Sequence, residues 1–284
     1  MLQLDYQPFS SRPFLKWAGG KSKLISQYIP YFPPKFDNYF EPFLGGGAVF
    51  FYLVGALGGA PVKGKNRSIL TDVNPQLINA YITVRNRVED LILLLAEHQA
   101  KHCKDYYYQM RKQNIGSSLE KAARLIYLNK TCFNGLYREN SKGEFNVPIG
   151  KYKNPTICNP DGLRLASVAL QSATIEVSSF DAVLNYGSSQ DFIYFDPPYY
   201  PLSPTSNFTA YSSYAFNEND QVRLRDTFAE LASRGVKVML SNSDCPFIRE
   251  LYQEFNIHEI LAARAINSNA LKRGKITEVL ITSY

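Results

Sequence analysis

The strongest constraint on the fold is a rhythm of short apolar runs separated by longer stretches with helical spacing. The runs are Asn38–Phe43, Ser68–Asp72, Thr174–Val177, Phe192–Asp196 and Val236–Leu240. Each is too short for a typical helix and largely apolar at successive positions, as strands buried on both faces of a parallel sheet are. Between them lie stretches such as Glu218–Ser233, which opens at an Asn-rich cap and is stopped by Gly235. Two later β-rich runs, Phe255–Ile266 and Ile276–Tyr284, predict an antiparallel edge hairpin. Strands alternating with helices predict a doubly wound, Rossmann-like α/β sheet flanked by helices.

The middle of the chain breaks the rhythm. Pro75 to about Asn129 is helical and strand-poor, with Leu77, Ile78, Tyr81, Val84, Val88 and Leu91 on a repeating face, and Lys130–Pro160 is rich in Gly, Asn and Pro. This predicts a mainly helical insertion, residues 80–165, between the two parts of a sheet domain, 1–79 and 166–284. The insertion is also where the charge sits. From Lys101 to Arg164 there are twelve Lys or Arg against five Asp or Glu, an excess of seven that leaves the remainder at minus one against a chain total of +6. Such a segment is either a surface for polyanions, nucleic acid foremost, or a solvated lysine-rich face.

Other function classes fall away. Cys103, Cys132, Cys158 and Cys245 form no C-x-x-C pair, and the three histidines do not complete a ligand set, so no metal site is expected. No secretory leader pattern opens the chain, and its longest apolar stretch, Ala48–Val62, is broken by glycines. A soluble cytoplasmic protein, without membrane contact and monomeric in solution, is expected.

Three motifs carry chemistry. Asn38–Phe51 reads N-Y-F-E-P-F-L-G-G-G-A-V-F-F, a strand entering a triple-glycine turn and then a helix, where backbone amides can approach a ligand. It is neither a strict G-x-G-x-x-G nor a P-loop. The next strand ends at Asp72, 27 residues after Gly45, against about 20 in the dinucleotide pattern. Its carboxylate either accepts both hydroxyls of a ribose or caps the following helix. Phe192–Tyr199 reads F-I-Y-F-D-P-P-Y, a buried strand leading to a stiff turn at its C-terminal end, where open α/β sheets bind ligands. The Asp196 carboxylate and the Pro197 carbonyl can both accept hydrogen bonds from one amine, and Tyr199 offers a flat face to an aromatic ring.

In this order, these motifs resemble the Dam family of DNA adenine methyltransferases over nearly the whole chain. F-L-K-W-A-G-G-K at Phe14–Lys21 resembles its opening motif, and T-D-V-N-P, F-N-G-L-Y-R-E-N, G-E-F-N-V-P-I-G-K-Y-K and T-E-V-L-I complete the set. Within the family the chain is most similar to the methylase of a restriction–modification system. The resemblance implies an S-adenosyl-L-methionine methyltransferase sheet and transfer of methyl to adenine N6 in duplex G-A-T-C. It implies that Trp17, Lys21, Phe40, Gly45, Gly47, Asp72, Phe180, Asp181, Tyr194 and Asp196 surround the cofactor. Asp72 would hold the ribose, while Phe180 and Asp181 would read the cofactor's adenine. The motif Asp196, Pro197, Pro198 and Tyr199 would hold the target base. It implies that residues 80–165 read DNA: Arg138 a guanine, Lys16 the first guanine, Phe133 the gap left by a flipped base, with Asn134, Leu136, Pro148 and Tyr152 alongside. Phe133 has a plainer alternative as a core residue.

A flipped adenine, in-line displacement and no covalent enzyme intermediate are the expected chemistry. The Tyr200–Asn219 segment is expected to be a lid, and Lys272-Arg273-Gly274-Lys275 either touches phosphates or is a solvated hairpin tip. Rival readings are methylation of another amine, cytosine N4 or protein glutamine, a solitary regulatory methylase of the same specificity, a lapsed DNA-binding module and an NAD oxidoreductase. Asp at position 196 favours adenine over the Ser or Asn more usual for the other amines.

Overall fold

The computed structural model describes residues 11–56, 67–113, 116–140, 142–202, 216–263 and 275–284. Its strands are β1 (Tyr39–Glu41), β2 (Ser68–Asp72), β3 (Ala173–Val177), β4 (Phe192–Phe195), β5 (Lys237–Ser243), β6 (Asn256–Ala263) and β7 (Lys275–Thr282). They form one sheet in the order β3-β2-β1-β4-β5-β7-β6. The first five strands are parallel, and β7 is antiparallel to both β5 and β6. The expected closing hairpin is therefore present, with its second strand docked on the parallel body. Helices α1 (Ile25–Tyr28), α2 (Ala48–Ala56), α3 (Pro75–Asn86), α4 (Val88–Lys101), α5 (Lys104–Lys112), α6 (Ser118–Thr131), α7 (Pro160–Leu170), α8 (Glu218–Ser233) and α9 (Pro246–Leu251) flank it.

Both faces of the sheet are covered, which explains why the parallel strands read as continuous apolar runs. Phe192 and Tyr194 of β4, Met239 of β5 and Leu280 of β7 join one apolar layer with α2, α3, α4, α6 and α7. The alternate residues Ile193, Phe195, Val238, Leu240, Val279 and Ile281 join the other, against α8 and α9. The period of two is the strand pleat itself. The first layer runs without interruption from the sheet into α4–α6, through Leu91, Leu95, Tyr107 and Leu125, so the central helices share the sheet's core.

Local signals set the helix ends. Asn74 caps α3 by accepting from Gln76 N and Leu77 N, with Pro75 at the first turn. Reciprocal capping boxes open α6 (Ser117 with Glu120) and α8 (Asn217 with Asp220). Among the described residues no helix is long and apolar enough to cross a membrane. The sheet order reverses at β1, which pairs β2 on one side and β4 on the other. The loops leaving β1 and β4 are thus neighbours, and they carry the triple-glycine turn and the D-P-P-Y motif.

Candidate active site

At the end of β1 the chain turns through Gly45 and Gly47 at φ of +47° and +66°, a region that L side chains enter only at a cost. Space is as tight as conformation. A Cβ on Gly45 would lie 2.9 Å from Trp17 Cδ1, and one on Gly47 2.9 Å from the Tyr81 hydroxyl. Tyr81, buried on α3, donates its hydroxyl to Gly45 O at 3.0 Å. The turn is therefore packed against both an indole and a phenol. Asp72, at the tip of β2, accepts from Gly45 N at 3.2 Å and from Asn74 N at 3.0 Å. Burial pushes its carboxyl up to about 6, against those backbone donors. Asp72 thus braces the turn and the start of α3 rather than capping α3, a task that falls to Asn74.

Glu41, which sequence reasoning passed over, closes β1 from inside. It is buried, accepts from Tyr39 OH at 2.7 Å and Phe50 N at 3.0 Å, and is pushed up to about 8 by burial. Phe40, expected beside the cofactor, lies in the apolar layer under α8 and α9. Phe180 is buried, stacked on Phe43 and covered by the Arg223 guanidinium at 4.8 Å. Asp181 stands partly exposed, 3.9 Å from the same arginine.

The D-P-P-Y turn is fixed from four sides. Asp196 Oδ1 receives both Lys21 Nζ at 2.9 Å and Ser241 Oγ at 2.8 Å. Its Oδ2 and the Pro197 carbonyl accept nothing from the described residues. Lys21, buried, also donates to Gly19 O at 2.7 Å and lies 4.5 Å from the centroid of the Tyr199 ring. Tyr199 donates its hydroxyl to Glu278 Oε2 on β7 at 2.7 Å. Pro198 O accepts from Gln221 Nε2 at 2.9 Å, and Tyr200 N donates to Asn242 Oδ1 at 3.1 Å. Gln221 and Asn242 are themselves bonded at 3.0 Å and buried. Tyr194 sits behind the turn, fully buried and bonded to Ser241 at 2.9 Å, a support rather than a pocket wall. The result is a carboxylate oxygen and a carbonyl oxygen on successive residues of a braced turn, neither with a donor among the described residues. Such a pair can accept both protons of one amine. Of the expected lid, Phe216 packs edge-on to Phe43 and Phe180, while residues 203–215 lie outside the described residues.

A second surface lies beside this one. Asn129 is fully buried at the end of α6; it accepts from Lys16 N at 2.8 Å and donates to Gly135 O at 3.1 Å and Lys16 O at 3.3 Å. This draws the N-terminal segment against Phe133–Gly135, where a Cβ on Gly135 would sit 2.2 Å from Lys16 O. Lys16 Nζ reaches Lys130 O at 3.4 Å and lies 3.9 Å over the Tyr152 ring. Phe133 is 45% exposed, which removes the core alternative, and its N–H donates to the carbonyl of exposed Pro148 at 2.9 Å. Asn134, exposed, takes φ of +55°, and half-buried Leu136 packs on the central core. Arg138 is held by Asn146, Nε to Oδ1 at 2.6 Å and NH2 to the carbonyl at 3.3 Å, leaving NH1 without a partner among the described residues. Lys16, Phe133, Asn134, Leu136, Arg138, Pro148 and Tyr152 thus fall on one connected patch. Part of the basic excess is structural: Arg164 pairs with Glu89 at 2.7 Å, and Arg124 donates to the Met110 and Arg111 carbonyls that end α5. Residues 272–274 of the basic tetrad lie outside the described residues.

Comparison with known proteins finds that residues 17–266 match the family profile described as D12 class N6 adenine-specific DNA methyltransferase. A type II methyltransferase of Lactococcus lactis subsp. cremoris is 45% identical, covering 99% of this chain and 98% of its own length. A type II methyltransferase of Methanocaldococcus jannaschii is 41% identical, with 96% and 99% covered. The DNA adenine methylase of Escherichia coli is 35% identical, with 95% and 94% covered.

Proposed function

The chain belongs to the D12 class of N6 adenine-specific DNA methyltransferases, and on that premise we propose that it moves the methyl group of S-adenosyl-L-methionine to adenine N6 in double-stranded G-A-T-C. The setting is protection of DNA alongside a restriction enzyme, in keeping with relatives that are type II methyltransferases. The observation that carries the reading is the D-P-P-Y turn, with Asp196 anchored through Oδ1 while Oδ2 and the Pro197 carbonyl accept nothing from the described residues.

The cofactor fits the residues present. The Gly45–Gly47 turn has no room for side chains, and Asp72 stands at the adjoining strand tip as an acceptor for a ribose. Trp17, Lys21, Gly45, Gly47 and Asp72 would hold the methionine and ribose portions, and Phe180 with Asp181 the adenine. When bound, this group supplies an activated methyl on a sulfonium. All else is positioning by the chain. Residues 80–165, with Lys16, form the DNA-reading part. Phe133 fills the gap left when the adenine leaves the stack, a move costing a few kcal/mol. The NH1–NH2 edge of Arg138, which leaves out the Nε that Asn146 holds, can address O6 and N7 of guanine, a contact worth roughly 1–3 kcal/mol against another base. Tyr199, held by Glu278, gives the flipped ring a face, and Asp196 Oδ2 with Pro197 O accepts from its amine. Two acceptors on one NH2 draw it toward tetrahedral geometry and aim its lone pair. The rate gain then comes from alignment and fixed dipoles.

The test is methyl transfer to matched duplexes that differ only in the G-A-T-C site. Product N6-methyladenine confined to that site supports the reading; methylated cytosine, or methylation regardless of sequence, overturns it.

A further inference from the structure

Two routes lead from the candidate cofactor pocket, and they meet at a residue with no assigned task. The first runs through aromatic rings. Trp17 lies over Gly45 and Gly46, where a Cβ would come within 2.9 Å and 3.2 Å of it, and its indole stacks on Tyr137 at 5.5 Å and 24°. Tyr137 donates its hydroxyl to Glu139 Oε1. The second runs through α3. Asp72 Oδ1 accepts from Asn74 N, Asn74 caps the helix through Gln76 N, and Gln76 Nε2 donates to the same Glu139 Oε1 at 3.0 Å. Glu139 is buried, and its backbone bridges Phe145 across the short hairpin that also holds Arg138 through Asn146. The carboxylate thus receives one donor from each side of the glycine turn and is covalently next to the guanine-reading arginine.

We propose that Glu139 is a positioning residue that couples occupancy of the cofactor pocket to the placement of Arg138. This rests on the reading of Arg138 and the glycine turn given above. A ligand on the turn must settle against Trp17 and Asp72, and both displacements arrive at Glu139. With the pocket filled, the carboxylate fixes the hairpin in the register that presents the NH1–NH2 edge. With it empty, the hairpin is free to adjust. Sequence reading of DNA is therefore strongest in the loaded enzyme, and the enzyme spends less time on its site when it has no methyl to give.

The experiment uses the full chain and measures duplex affinity with and without S-adenosyl-L-homocysteine, on the duplex that the wild-type enzyme methylates and on a copy changed at one guanine. For the wild type the expected result is tightening on the cognate duplex by roughly tenfold or more, within the usual range of allosteric couplings, and little tightening on the changed copy. Glu139→Leu keeps most of the side-chain volume but removes the oxygen that both donors share, and Tyr137→Phe removes one donor only. Both are expected to bind S-adenosyl-L-homocysteine as the wild type does, to within about threefold, and to lose most of the selective tightening. Gln76→Ala combined with Glu139→Leu should cost little more coupling than Glu139→Leu alone. Full selective tightening in a folded Glu139→Leu enzyme, or in Tyr137→Phe, overturns the proposal, as does its absence from the wild type. Wild-type methylation at a site other than G-A-T-C overturns the specificity reading instead, and the coupling is then decided on that site.

Discussion

Replacing Asn129 should loosen the join between the N-terminal segment and the proposed DNA-reading loop by a calculable amount. The side chain is fully buried and makes three hydrogen bonds, from Lys16 N and to the carbonyls of Gly135 and Lys16. Asn129→Ala removes all three, at about 1 kcal/mol each, or about 3 kcal/mol in total. For a chain of this size that is a fall in Tm of roughly 6–12 °C. Asn129→Asp separates hydrogen bonding from packing. It keeps the volume and the acceptor for Lys16 N, but loses both donors and sets a carboxylate oxygen against two carbonyls. Its Tm should therefore fall at least as far as that of the alanine variant. Calorimetric melting reads the stability, and duplex affinity reads the consequence, because Lys16 and Phe133–Arg138 lie on one proposed surface. Affinity for DNA should drop well beyond any change in affinity for S-adenosyl-L-methionine. An aspartate variant as stable as the wild type would refute the argument, since only packing would then join these segments.

Three further outcomes are expected. Gly45→Ala places a Cβ at φ of +47° and 2.9 Å from Trp17; it should cost about 1–2 kcal/mol of stability and weaken S-adenosyl-L-methionine binding in a titration, whereas unchanged binding would remove the turn from the pocket. Phe133→Ala, at a half-exposed site, should leave melting within about 0.5 kcal/mol of wild type and reduce fluorescence of 2-aminopurine at the target position, the signal of an extrahelical base. The Asp72 carboxyl, raised by burial to about 6, is ionised above that pH and protonated below it. Cofactor affinity that depends on the carboxylate is therefore full above about pH 6 and declines below it by up to about tenfold per unit, and Asp72→Asn should flatten the profile.

The sequence made the sheet legible because burial on both faces writes itself into each parallel strand. Ser68–Asp72 and Glu218–Ser233 have the same bounds in the structure, the second because its cap and its terminal glycine are local signals. The glycine turn and D-P-P-Y were legible for the same reason, since a strained or stiffened backbone needs particular residues in a row. What surrounds them was not. Ser241, Asn242, Gln221 and Glu278 hold the D-P-P-Y turn from positions 23 to 79 residues away, and nothing near them in the chain marks the partner. Asn129 reads as an ordinary polar residue at a helix end. Glu139 reads as one acid among the five of the basic segment Lys101–Arg164. Phe40 shows the opposite difficulty: its ring lies in the core under α8 and α9, and a ring beside a pocket motif and a ring in the core beneath it have the same one-letter signature.

The most direct test of the account concerns Asp196. Labelled S-adenosyl-L-methionine is supplied to the wild-type and Asp196→Asn enzymes with a duplex containing one G-A-T-C site, and the product nucleosides are separated. The account requires N6-methyladenine at that site from the wild type and at least a hundredfold lower turnover from the variant, about 2.7 kcal/mol at the transition state, with duplex affinity retained. Methyl transfer by Asp196→Asn at the wild-type rate, or label on any other base, would contradict it.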